Sequence, residues 1–139
     1  MTGLDIDLSG GDTLLARMGI EVTEAGAKRG VGTMPVDGNT QPLGLLHGGA
    51  SCVLAESLGS IGATLHAAET FGDGAFAVGI EISATHHRSA RGGVVTGVAT
   101  PLHLGGLVAS YEIVITDQAG ERVCTARLTC MVRRPAART

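Results

Sequence analysis

Glu56 is the only acid between Gly48 and Ala68, and that run holds no Lys or Arg to pair with it. A carboxylate on an otherwise apolar helix costs several kcal/mol unless it is hydrogen-bonded, protonated or opened to a cleft. Its neighbours at four residues' distance are Cys52 and Ser60, with Gly49, Val53 and Gly59 alongside, which is not a polar stripe. Glu56 therefore reads as a functional, water-poor carboxylate, with a narrow solvent-facing stripe as the alternative.

His47-Gly48-Gly49 opens the same helical stretch. A helix start presents unpaired N–H groups and the positive end of the dipole to a developing oxyanion, and glycine lets a ligand approach closely. His47 could equally be a capping or packing residue. Gly48 and Glu56 stand eight positions apart, about 12 Å along a helix axis. A carbonyl held at the Gly48 N–H is then out of reach of the same chain's carboxylate, so a site using both needs two chains. Gln41, in the loop before the helix, could donate to a substrate carbonyl or simply face solvent. Ser60, one turn beyond Glu56, could hold the carboxylate or a water, or serve only as a small packing residue.

The segment His86-His87-Arg88-Ser89-Ala90-Arg91-Gly92-Gly93 is the most basic local cluster. It suits phosphates, and solvated strand-end charge is the alternative. Its two histidines point to opposite faces of a strand and cannot readily chelate one metal. His66 and His103 lack an acid or cysteine at ligand spacing, so no metal site is expected. The motifs G-x-S-x-G, G-x-x-x-x-G-K and S-x-x-K are absent, which removes the usual serine hydrolases and P-loop enzymes.

The elements that must position these residues are few. Asp12-Thr13 caps a short helix over Leu14, Leu15 and Met18, closed by Gly19. Residues 20–36 read as a hairpin and 37–44 as a loop dense in turn formers. One long helix, Gly48 to about Glu69, follows, with small and apolar residues around its whole circumference, so burial on most sides is expected. Its glycines suit the close approach of a sheet. The period then switches to two, with Val78, Ile80, Ile82 and Ala84 sharing one face of the next strand. Four strands in all follow the helix, read as antiparallel neighbours joined by tight turns, with Pro101 at a bulge or an edge. One sheet of about six strands cannot enclose a helix of ~30 Å, so an α+β domain completed by a second subunit is expected.

At 139 residues with 44% apolar content the chain is long enough for one domain spanning 1–139, with 1–11 and 134–139 expected to be loose. A net charge of -3, a single lysine (Lys28) and no basic run argue against nucleic acid or a polybasic membrane patch. No apolar stretch reaches the ~18 residues of a membrane span. The amino terminus lacks a basic n-region, and Cys124 and Cys130 on one strand are too far apart to bridge, so a cytoplasmic location is expected.

The blocks QPLGLLHGGASCVLAESLGSIGA, VGIEISATHHRSARGG and PLHLG closely resemble the hotdog-fold acyl-CoA thioesterases. The branch is that of the phenylacetate-degradation thioesterases, nearest in pattern to bacterial enzymes acting on dihydroxynaphthoyl-CoA and on aroyl thioesters in enterobactin proofreading. The resemblance spans about Gly19 to Arg133. It implies one long central helix wrapped by a curved antiparallel sheet of five to six strands, in dimers with shared active sites that pair into a homotetramer. It further implies Glu56 as the catalytic carboxylate, acting as nucleophile or as base for water, Gly48 as the oxyanion donor assisted by Gln41, His47 orienting the thioester end and Ser60 placing the hydrolytic water. His86, Arg88, Ser89 and Arg91 fall in the stretch that meets CoA in such enzymes.

The function so implied is hydrolysis of an acyl-CoA, with an acyl group of hydroxybenzoyl, dihydroxynaphthoyl or phenylacetyl type, to free acid and CoA, with no cofactor and no metal. Leu45, Leu58, Ile61 and the 70–76 loop are expected to form the acyl pocket wall. Two alternatives are a non-catalytic acyl-CoA-binding module and a hotdog hydroxyacyl-thioester dehydratase. The first usually adds a DNA-binding segment for which this domain leaves no room, and the retained Glu56 speaks against it. The second would need a His and an acid facing one hydroxyacyl group, whereas here the acid lies mid-helix after HGG.

Overall fold

The computed structural model describes residues 11–135. The loose ends expected at 1–11 and 134–139 lie outside the described residues except at Gly11, Arg134 and Pro135. Helix α1 (Leu14–Met18) is capped as expected: the Thr13 hydroxyl accepts from the Ala16 N–H, and Gly19 closes the helix at φ 72°. Strands β1 (Glu21–Glu24) and β2 (Gly30–Pro35) form the antiparallel hairpin. Helix α2 (Gly48–Phe71) and strands β3 (Phe76–His86), β4 (Val94–Leu104), β5 (Val108–Thr116) and β6 (Arg122–Arg133) follow. One antiparallel six-stranded sheet results, in the order β1-β2-β4-β5-β6-β3.

This order corrects one expectation. β3 and β4 are consecutive in the chain but not neighbours: β3 pairs with β6 and occupies the far edge of the sheet. The connection between them, 87–93, is no hairpin turn. It crosses to the other side of the sheet, leaving β3 with an open edge.

Helix α2 packs across β2 to β6. Ideal side chains at Gly59 and Gly62 would lie 2.6 Å from Leu128 and 3.0 Å from the Tyr111 ring, so the absence of Cβ atoms there sets how closely helix and sheet approach. Leu54 and Leu58 fill the space over Gly32 and Gly97 and are fully buried. Leu58 is thus a core residue, not part of an acyl pocket wall. The helix is not buried all round, however. Gly49 and Glu56 are exposed and Cys52, Val53, Ser57 and Ser60 half-buried, because a single sheet covers one side of a helix and leaves the other open.

A bulge corrects the strand phase as well. The β3–β6 register slips between Gly79 and Glu81, so Ile80 is the extra residue. Beyond the slip Ile82 and Ala84 face the helix, opposite the buried Leu128 and Ala126, as expected. Before it Val78 pairs with Met131 and is 43% exposed, whereas Ala77 is buried. The second expected irregularity, at Pro101, is a bulge between Pro101 and His103.

Tyr111 ties the hairpin to the core: its phenol, fully buried, donates to the Ala27 carbonyl at 2.5 Å. Burial pushes its ionisation well above the ordinary phenol range. Tyr111→Phe strands that carbonyl at a site only 5% exposed, and a loss of about 1–3 kcal/mol in urea-unfolding free energy is expected.

Candidate active site

The loop from β2 to α2 is held by backbone bonds to the segment after β3. Val36 N–H donates to Gly93 O (2.9 Å) and Leu46 N–H to Ala90 O (2.8 Å), while His47 N–H donates to Asn39 O (2.9 Å). The Asn39 side-chain amide donates to Met18 O and Pro35 O, each at 2.8 Å. These ties bring two distant stretches of sequence against one cavity of about 330 Å³ lined by Gln41, Leu45, Gly48, Ser51, His86, Arg88 and Ser89, among others. Of the expected site residues, Gln41 and Gly48 thus share a space with His86, Arg88 and Ser89. Arg91 does not line it.

The polar groups in this cavity are oriented. The Gln41 side-chain oxygen accepts from the Leu43 N–H, which leaves the amide NH₂ as the end able to donate. At the helix start the His47 Nδ1 accepts from the Gly49 N–H at 2.8 Å, and the Ala50 and Ser51 N–H groups donate to the His47 carbonyl. The Gly48 N–H has no hydrogen-bond partner among the described residues. His47 is therefore a cap, and its ring borders a separate depression with Met18, Asn39, Thr40, Gly49 and Val53. The paired histidines diverge as their strand position requires. His86 turns under Gly48, its Nε2 2.8 Å from where a Gly48 Cβ would stand, while His87 Nε2 meets Thr125 Oγ1 at 2.9 Å, and His87 borders both this cavity and a depression on the opposite sheet face.

Glu56 lies elsewhere. It does not border the Gly48 cavity, and within one chain it is exposed rather than water-poor. Its Oε2 rests over β3, 2.7 Å from the position a Cβ at Gly79 would take. Among the described residues it forms no salt bridge. Burial and then the Glu56 charge push the Cys52 thiol up, and burial followed by Cys52 raises Cys124 to about 11. Neither thiol is a thiolate near neutrality, and Glu56 carries the one carboxylate on this face of the helix. Ser60, half-buried one turn on, has its hydroxyl beside the Cys130 thiol. Among the described residues no group of three or more His, Cys, Asp or Glu is placed to hold a metal ion, and no helix is long and apolar enough to cross a membrane.

Two contributors escaped sequence reasoning. Gly79 supports the carboxylate, and only its β3 bulge position marks it; Ser51 lines the cavity from the first turn of α2, with no signal in the residue pattern. Gly79→Ala is expected to push the Glu56 carboxylate aside and to lower turnover by about 10-fold to 100-fold with the fold retained, read as kcat beside a circular-dichroism melt.

A six-stranded antiparallel sheet around one long helix, with an unpaired N–H at the helix start and an acid two turns on, is the hotdog arrangement, and the thioesterase superfamily pattern matches residues 43–124. The chain belongs to that superfamily and is a thioester hydrolase. Among its relatives, the proofreading thioesterase EntH of Cronobacter turicensis is 52% identical over 121 residues, covering 86% of this chain and 85% of the relative. A Haemophilus influenzae thioesterase structure superposes with a TM-score of 0.83 at 36% identity, over 91% of this chain and 86% of that one. A Pseudomonas aeruginosa thioesterase gives 0.81 at 38% identity, over 88% and 86%.

Proposed function

We propose that the protein hydrolyses an acyl-CoA thioester carrying an aromatic acyl group, of hydroxybenzoyl, dihydroxynaphthoyl or phenylacetyl type, to the free acid and CoA. The observation that carries this reading is the partition of the site: the donors Gly48 and Gln41 share a cavity with Arg88 and Ser89, while Glu56 stands on an uncovered helix face. Two copies joined along the open edge of β3 would bring these halves together. Phe76, Val78 and Ile80 on that strand are 46%, 43% and 53% exposed, an apolar edge that a soluble chain covers. The same pairing would take Glu56 out of bulk water, and two such dimers would form a homotetramer.

In the assembled site the thioester oxygen accepts from the Gly48 N–H and the Gln41 amide, with His47 holding the helix start as its cap. A thioester carbonyl is already electrophilic, so Glu56 of the partner subunit needs only to attack it or to deprotonate a water held by Ser60. Arg88 in the cavity, with Arg91 three residues along the same segment, supplies the local positive charge that a polyanionic CoA requires from a protein of net charge -3. Neither cofactor nor metal is called on, and the setting is cytoplasmic. The name of the EntH relatives, proofreading thioesterases, supports removal of wrongly loaded acyl groups as the role. Thiol release from a panel of aryl- and alkyl-CoA esters tests the reading, with the aryl esters expected to lead in kcat/KM. A protein that binds these esters yet releases no CoA from any of them would be a binding module.

A further inference from the structure

Among the titratable groups that line the cavity, His86 has a place that phosphate binding does not explain. His86 is the last residue of β3, and the β3–β6 register turns it to the helix side, opposite the buried Cys124. Its Nε2 lies 2.8 Å from the point that a Cβ on Gly48 would occupy, so the ring edge and the unpaired Gly48 N–H border the same small space. Arg88 and Ser89 line that cavity on the side where the chain leaves β3. A thioester whose oxygen sits at Gly48 and whose CoA runs toward Arg88 and Ser89 must carry its sulfur past His86.

We propose that His86 is a catalytic residue that protonates the departing CoA sulfur. This rests on the acyl-CoA reading above. After water or the carboxylate has added to the carbonyl carbon, the tetrahedral adduct collapses, and in the second case water then hydrolyses the anhydride left on Glu56. The carbon–sulfur bond breaks, its electron pair goes to sulfur, and the proton on His86 Nε2 moves to that sulfur to give the free thiol. The imidazole then regains a proton from solvent, so the sum remains thioester plus water to acid plus thiol. His87 provides the internal contrast: it also borders the cavity, but its Nε2 is engaged by Thr125 Oγ1 at 2.9 Å and so is not free to give a proton to the sulfur.

The experiment compares His86→Ala, His86→Gln and His87→Ala on two thioesters of one aromatic acid, the CoA ester and the S-nitrophenyl ester, whose thiol is far more acidic and leaves without a proton. On the CoA ester both His86 variants are expected to lose about 100-fold in kcat with KM changed little, and His87→Ala to lose almost nothing. On the nitrophenyl ester all three are expected to stay within a few-fold of the unaltered enzyme. His86→Gln preserves size and hydrogen bonding, so a variant that merely misfolds would show equal losses on both esters. Equal losses, an unchanged kcat, or a change confined to KM would each overturn the assignment. Unaltered enzyme that hydrolyses neither ester would instead sink the acyl-CoA reading itself.

Discussion

Glu56→Gln is expected to lower kcat on the preferred acyl-CoA by about a thousandfold, because the amide can neither attack a carbonyl nor take a proton from water. The exchange keeps the shape of the side chain over Gly79, and Glu56 makes no salt bridge among the described residues, so the melting temperature should stay put. KM should move little, since the carboxylate lies outside the cavity that carries Arg88 and Ser89. Steady-state kinetics alongside a thermal melt check all three statements. Turnover that survives the substitution would remove Glu56 from the chemistry.

The second large effect is a recovery. Gly48→Val thrusts a branched side chain at the His86 ring and shuts the oxyanion position, so this variant and Glu56→Gln should each be inactive alone. Refolded together at equal concentration, they should regain about a quarter of native activity, because half the dimers are mixed and each mixed dimer has one of its two sites intact. The distance argument demands this, as two helical turns separate Gly48 from Glu56 in one chain. Mixed dimers that form, by mass spectrometry, and stay inactive would place both groups in one subunit.

Much of this was legible in residue order. Periodicity located the long helix and the six strands, and the His-Gly-Gly start with its lone acid marked the residues that the structure places at the helix opening and on its open face. His86 and His87 diverge because neighbouring strand residues must. What residue order hid was non-local. The pairing of β3 with β6 depends on which strands share hydrogen bonds, and no turn motif records that the 87–93 connection crosses the sheet. The bulge at Ile80 hid the phase change, because Val78 and Ile80 alternate as well as any regular strand. The exposure of Glu56 was misjudged for a related reason: an apolar helix reads as covered, but the composition does not say by what.

That bulge has a further consequence for the edge strand. Since Ile80 is the surplus residue, odd-numbered residues face the helix before it and even-numbered ones after it, and Gly79 lies at the junction. Removing Ile80 would leave Gly79 opposite Cys130 and Glu81 opposite Thr129 in unbroken register, so both halves would keep their faces while the extra twist that the bulge gives the strand would be lost. A one-residue deletion would thus straighten the edge on which the acid rests while sparing every group that touches a substrate.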